Sequence, residues 1–491
     1  MSGLRTAPTE SLTAAAKAEL VERGFEPDFP EAVLAEARAA ASAPFAGHAA
    51  GARDLRDLLW SSIDNAESKD LDQIEYAERQ ADGSIRLFVG IADVDAFAPK
   101  GSALDRHAAI NTTTLYLGVA IFPMLPEILS TGTSSLLPGE DRIAHVVQLV
   151  VAPDGAVKPE ATFTAIVRNK AKLAYETVGS WLADQSPIPE EIGKVPGLEA
   201  QVRLQNDATK LLHAYRQQSG AINIDSIEPR AIVKDDKVVD IVALQQNPAR
   251  DLIEELMIGA NRASASLLGA RNAPAIRRVV RQPRRWDGIV KVAAELGTTL
   301  PSQPDGRALA DFLAARRKAD PVRFPDLSLT IVKLLGPGEY VLDRAGPEDD
   351  EAHFGLGVAK YVHSTAPNRR YADLINQRLL KATDSGSALP YSDDELAAIA
   401  AHCNERELEA HRIERSMRKR LAAAALVDRV GQTFDAVVTG KSDKGTYVRV
   451  LGPPVEGRLM RGEQQVDVGQ RLRVQLTHVD SRKGFIDFAA A

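Results

Sequence analysis

The chain has 491 residues, 44% apolar and 26% charged, with a formal net charge of −7 and a pI near 5.8, a length that suggests about two to four domains. The acidic balance excludes a uniformly basic nucleic-acid coat, though not a local basic channel. Cys403 is the only cysteine, which excludes an intrachain disulfide and a cysteine-built zinc site and fits a reducing cytoplasm.

No export or membrane segment is expected. Glu10, Glu19 and Glu22 break up the N-terminus, and apolar stretches such as Ala144 to Ala152 fall far short of the roughly 20 residues of a spanning helix. The first fifty residues read as two helices, Ser11 to Arg23 and about Pro30 to Ala41, parted by Gly24-Phe25-Glu26-Pro27, with Pro30 suited to a first-turn position. A helix-turn-helix is one reading; an alanine-rich helical hairpin without a nucleic-acid role is favoured.

The next stretch, Ser62 to Gln73, is the most telling. Asp64, Asp70 and Asp72 form a D-x5-D-x-D array, and carboxylates this crowded repel one another unless protonated, solvated or neutralised by a cation. Asp70 and Asp72 would share one face of a strand, and the five-residue arc lets Asp64 approach. Oxygen ligands suit magnesium or manganese; a solvated acidic loop is the plain alternative. An EF-hand is excluded, since its sixth position, counted from Asp70, is Glu75 rather than glycine.

The pattern then turns to strands: a run through Ile74 and Tyr76, a turn at Asp82-Gly83, and Ile85 to Ala92, so that the array sits at the mouth of a hairpin. Asp93-Val94-Asp95 reads as a cap. Strands around Ile143–Val151 and Ala161–Val167 give way to helices with Pro-rich breaks at 187–196 and 301–305. Ser392-Asp393-Asp394-Glu395 is a capping box opening a long helix to about Leu426. Residues 431–491 carry five short alternating strands, the rhythm of an OB-type barrel, with Arg449, Arg458, Arg471 and Arg473 beside Phe434, Tyr447 and Phe485, the mixture that binds single-stranded nucleic acid. A barrel whose aromatics merely fill its core is the alternative.

From residue 55 onward the order of segments resembles the ribonuclease II (RNB) family. Asp64, Asp70 and Asp72 are followed by Gly90-Ile91-Ala92-Asp93, Tyr116, Phe122-Pro123-Met124-Leu125-Pro126, Lys170 to Tyr175, Leu252 to Met257, His353 to Gly357 and Pro367-Asn368-Arg369-Arg370-Tyr371. The resemblance implies an α+β multidomain protein: a helical region at 1–50, a mixed α/β RNB catalytic domain at 51–429 and an all-β OB fold of the ribosomal-protein S-one type at 430–491. It also implies a processive 3′→5′ exoribonuclease of RNA turnover that needs magnesium, or manganese, and releases 5′-nucleoside monophosphates from single-stranded RNA. The expected form is a cytoplasmic monomer with no membrane partner.

Carried onto this sequence, the family's roles make Asp64, Asp70 and Asp72 metal-holding, with Asp72 also orienting the attacking water. Arg369 would stabilise charge on the scissile phosphate, helped by a helix beginning near Pro367, and Tyr116 would set the last nucleotide in place. Tyr175 and Glu254 would read the sugar hydroxyls, and Tyr447 and Arg449 of the barrel would hold RNA. Plain alternatives stand beside these: Arg369 as ion-pair partner of Asp373, Glu254 and Glu255 as a solvated helix face, Tyr116 and Tyr175 as core residues.

Two positions depart from the family's pattern. Gln73 stands where it has a fourth aspartate, keeping an oxygen ligand but losing a charge, and Ile224 stands where a phenylalanine commonly stacks on RNA. About fifty residues ahead of the catalytic domain cannot hold the two cold-shock barrels of bacterial ribonuclease II, so Arg277-Arg278, Arg281, Arg284, Arg285 and Arg412 to Arg420 become candidate backbone contacts, or else solvated surface. The competing expectation is a non-catalytic RNA-binding protein on a decayed scaffold.

Overall fold

Two N-terminal helices form where the sequence places them. Ser11 opens α1 (Leu12–Glu22), accepting the Ala14 NH at 3.4 Å, and Pro30 stands at the N-cap of α2 (Glu31–Ser42). The computed structural model describes residues 11–491 except 223–227, 235–236, 245, 281–282, 284, 322, 345–353, 359, 443–444 and 464–465. Ile224, Arg281, Arg284 and His353 therefore lie outside the described residues.

The centre is a seven-stranded mixed sheet in the order β1-β8-β7-β4-β3-β2-β9. Its strands are β1 (Arg53–Asp54), β2 (Ser61–Asp64), β3 (Gln73–Arg79), β4 (Ile85–Ala92), β7 (Asp141–Val151), β8 (Val157–Arg168) and β9 (Ala171–Ala174); β5 (Leu115–Tyr116) and β6 (Ile121–Phe122) form a separate small hairpin. β3 and β4 make the expected antiparallel pair around Asp82-Gly83. Asp93 caps the short turn of helix after β4, accepting the Ala96 NH at 3.2 Å.

Both faces of the sheet are covered, as its apolar residues on either side require. On one face Val178 and Trp181 of α3 (Tyr175–Leu182), Val202 of α4 (Leu198–Gln218) and Leu252 and Leu256 of α5 (Pro248–Ala270) bury Ile63, Ala77, Val89 and Leu149. Beyond these, α6 (Phe324–Leu335) belongs to a separate helical core with Trp286 and Phe312. On the sheet's other face Leu374, Ile375 and Leu379 of α7 (Tyr371–Ser385) pack with Trp60, Ile74, Val146 and Phe163. The last helix, α8 (Asp393–Ala424), begins at the expected capping box.

The five C-terminal strands close into a barrel in the order β10-β11-β12-β14-β13: β10 (Thr433–Ser442), β11 (Gly445–Val450), β12 (Glu456–Arg461), β13 (Arg471–Asp480) and β14 (Phe485–Ala490). Phe434 belongs to the barrel core, whereas Phe485 is exposed and Tyr447 half-buried. Arg449 is clamped to α6, its Nη2 donating to both oxygens of Asp326 at 2.8 and 3.0 Å.

The N-terminal helices are built into the body. Ala16, Leu20 and Phe25 share a core with Leu115 and Leu117 of the small hairpin and Ala410, Ile413 and Met417 of α8. Arg23 pairs with Glu409 at 2.7 Å, and the Ser416 hydroxyl donates to Glu19 at 2.9 Å. In the hairpin turn Gly118 has a φ of 80°, and a Cβ there would stand 2.8 Å from a Leu421 methyl, so only glycine fits. Leu20→Ala should lower unfolding stability by about 2–5 kcal/mol, measured by denaturant melts, because Leu20 is fully enclosed on both sides.

Two expected surface contacts prove internal. Arg277 is buried and pairs with Asp343 at 3.6 Å, while Arg278 pairs with Glu407 at 2.6 Å and lies over the Tyr340 ring. Strand alternation and the α8 wall turn both inward, so neither contacts RNA backbone. Arg412 and Arg420 are engaged by Glu409 and Glu19.

Candidate active site

The three aspartates stand where the sheet's central strands meet their connecting loop. Leu71, between Asp70 and Asp72, is buried in the core, its NH donating to the Ser135 hydroxyl at 2.9 Å, and that hydroxyl donates on to the Lys69 carbonyl at 2.7 Å. The loop is thereby fixed from below, with its acids turned toward protein partners.

Asp72 is enclosed, at 2% exposure, and accepts the Asn368 NH at 3.1 Å and Arg369 Nε at 3.3 Å. Burial is the main reason its carboxyl is pushed up to about 7; Arg369 and the Asn368 NH oppose the rise, and Asp70 and Asp373 add to it. Asp70 accepts the Tyr116 hydroxyl at 2.8 Å from the half-exposed hairpin. Enclosure, then the Asp70 charge, holds that hydroxyl above the usual tyrosine range, so it remains a donor at neutral pH.

Asp64 ends β2 and accepts the Asn65 NH at 2.6 Å and the Ser68 hydroxyl at 3.1 Å, with burial raising its carboxyl. Because β2 and β9 run parallel with Asp64 opposite Ala174, the chain leaves the sheet at Tyr175 beside Asp64. The Arg250 guanidinium covers the Tyr175 ring at 4.4 Å and reaches Glu176 at 2.9 Å. Glu254 follows one turn later on α5, half-exposed and 3.8 Å from Arg216. Its neighbour Glu255 is buried between Arg216 and His213, at 2.7 and 2.8 Å, and is not a solvated face.

The Arg369 turn corrects two expectations. No helix begins at Pro367: residues 367–369 form a turn and α7 starts at Tyr371, so the amide offered to the site is a single Asn368 NH already bound to Asp72. The ion pair with Asp373 belongs to Arg370, at 2.8 Å, which leaves Arg369 to face Asp72. The Ser134 hydroxyl holds Asn368 at 2.7 Å and the Thr114 NH holds the Arg369 carbonyl at 3.0 Å, tying this turn to the strand that carries Tyr116.

Asp70, Asp72, Tyr116 and Arg369 thus meet by direct hydrogen bonds, with Asp64 and Tyr175 alongside, while Tyr447 and Arg449 belong to the separate barrel. Among the described residues no three His, Cys, Asp or Glu side chains converge as a ready-made ion cage, each aspartate being held by its own protein donors. The donor set is still the kind a hard dication takes, all oxygen and crowded, and Glu75 behind it has two buried carboxylate oxygens without a hydrogen-bond partner among the described residues. Asn368, Arg250 and Glu75 were not singled out as site residues by sequence reasoning; only the Pro367–Tyr371 segment pointed toward the first.

Residues 52–385 match the RNB domain, and residues 432–491 match the RNase II-type exonuclease C-terminal S1 domain. The chain belongs to the RNB family. Ribonuclease R of Escherichia coli strain K12 is 30% identical over 480 residues, covering 90% of this chain and 57% of that protein. Exoribonuclease 2 of Salmonella typhi is 32% identical over 405 residues, covering 81% of this chain and 61% of that protein. The chain thus spans little more than half the length of such RNB-family relatives. In fold it is similar to the apo form of Mycoplasma genitalium RNase R, with a TM-score of 0.85 at 24% identity over 98% of this chain and 78% of that one. No helix among the described residues is long and apolar enough to cross a membrane.

Proposed function

We propose that the chain is a metal-dependent, processive 3′→5′ exoribonuclease acting on single-stranded RNA. The carrying observation is the contact of Arg369 with the enclosed carboxyl of Asp72, beside the Tyr116–Asp70 hydrogen bond, within the segment that matches the RNB domain. Magnesium or manganese held by Asp64, Asp70 and Asp72, with Gln73 as a neutral oxygen ligand, would supply Lewis-acid stabilisation and an activated water.

The chain's own residues do the rest. Arg369 neutralises Asp72 while the site is free of RNA; a scissile phosphate draws the guanidinium onto its oxygens, where a planar fork suits two acceptors. The Asp72 carboxyl, poised near neutrality, then orients water and takes its proton. Water oxygen bonds to phosphorus, the bond to the 3′-oxygen breaks, and the released nucleotide keeps its 5′-phosphate. Tyr116 packs against the terminal nucleotide, and Tyr175 with Glu254 reads the 2′-hydroxyl.

The test is a matched pair of RNA and DNA oligonucleotides under single-turnover conditions. RNA should shorten from its 3′ end while DNA persists, and equal digestion of both would remove sugar reading from the account. The barrel makes its own prediction. Exchanging the exposed Arg458, Arg471 and Arg473 together for glutamine should weaken RNA binding and flatten the slope of log affinity against log salt by about 0.7 per lost phosphate contact. An unchanged slope would place those contacts elsewhere.

A further inference from the structure

The position that sets this site apart is Gln73, where an acid is lost. Strand alternation puts Gln73, Glu75 and Ala77 on one face of β3, toward the core built with α3, α4 and α5, while Ile74 packs on the other face. That core is otherwise Ile63, Ala77, Val89 and Ile91, yet in its midst Glu75 is fully buried. Neither of its carboxylate oxygens has a hydrogen-bond partner among the described residues, and the same holds for the hydroxyl of Ser61, its cross-strand neighbour on β2. Gln205 Nε2 approaches only the Glu75 backbone carbonyl, at 3.2 Å, and leaves its own Oε1 without a partner.

A buried carboxyl with neither donor nor cation is a strong penalty for a fold to retain without use. The direction of the side chain is given by its electrostatic neighbours. The Asp64 charge reaches Glu75, and the charges of Asp64 and Glu75 both reach the Tyr175 hydroxyl, so the carboxyl lies toward the end of β2 where the aspartate array begins. Two residues along a strand is about 6.6 Å, and glutamate's extra methylene recovers part of that distance toward position 73.

We propose that Glu75 is a metal-site residue of this chain, supplying from the interior of β3 the negative charge that Gln73 lacks at its start. The assignment rests on the metal-dependent reading above. On cation binding the Glu75 carboxylate becomes a ligand, directly or through one water, and its unpartnered oxygens acquire their partner.

The test is manganese uptake by the full chain, followed by the loss of the free-ion electron paramagnetic resonance signal and by the rise in melting temperature on adding the ion. Glu75→Gln keeps shape and removes charge; it should weaken manganese binding by about 10–100-fold and shrink the melting-temperature rise. Glu75→Asp, which shortens the reach, should weaken binding in the same direction and serves if the glutamine variant fails to fold. Gln73→Asp introduced into the Glu75→Gln background should restore affinity. Wild-type affinity in both Glu75 variants would overturn the assignment while leaving the nuclease reading standing. Absence of manganese uptake by the wild-type chain would instead remove the metal-dependent reading, and the assignment with it.

Discussion

Asp72→Asn is expected to slow RNA cleavage by at least about 10³-fold while changing RNA affinity by no more than about threefold, because the carboxylate acts on the reacting water and not on the body of the strand. Single-turnover cleavage and filter binding separate the two effects. The same substitution has a signature on stability. The folded-state carboxyl of Asp72 lies at about 7, above an unfolded value near 4, so the native state holds more protons than the unfolded state between these limits. Chelated wild-type protein should therefore lose stability as pH rises from about 4 to 7 and level off above. Asparagine mimics the protonated form and removes that loss, which amounts to a few kcal/mol, roughly 1.4 for each pH unit between the two values. In chelator at pH 8 the variant should melt higher than wild type, and at pH 4 the two should coincide. Equal melting at pH 8 would mean that Asp72 is not held ionised at a cost.

Arg369→Gln is expected to lower the rate by about 10²–10³-fold, the loss typical of a charged donor that acts on developing phosphate charge. Its effect on pH dependence is more diagnostic. The Arg369 charge opposes the rise of the Asp72 carboxyl, so its removal must raise that carboxyl further. The acid limb of the pH–rate profile should then move to higher pH, recovering part of the lost activity in alkaline buffer. Arg369→Lys should keep the acid limb near wild type and still lose rate, since a lysine supplies charge without the planar pair of donors. A uniform fall at every pH in the glutamine variant would place Arg369 away from Asp72 in the working enzyme.

Much of this architecture was legible in the sequence because its signals are local. The D-x5-D-x-D spacing, the Asp82-Gly83 turn, the Ser392–Glu395 capping box and the strand rhythm after residue 431 each depend on neighbours in the chain, and the sheet, α8 and the closed barrel follow them. What was not legible depends on residues far apart. Arg369 and Arg370 are adjacent and chemically equal, and only the turn at 367–369 decides which of them meets Asp72 and which meets Asp373. Arg277 and Arg278 read as an exposed basic pair until β-strand pairing and α8 enclose them. The N-terminal helices carried no sign that Leu20 and Phe25 would support the hairpin of Tyr116. Glu75 appeared only as the residue that excluded an EF-hand, since an acid on a strand ordinarily faces water and nothing local marks this one as buried.

The central claim is that the aspartates around residue 70 serve hydrolysis of an RNA 3′ end. Its most direct measurement is digestion of a 5′-labelled single-stranded RNA by the full chain across magnesium and manganese concentrations, with EDTA as control and the released nucleotides identified by mass. The account predicts a ladder that shortens from the 3′ end only when metal is present, together with 5′-nucleoside monophosphates. RNA that is bound yet stays intact at every metal concentration would contradict it and would leave a binding protein on an RNB scaffold.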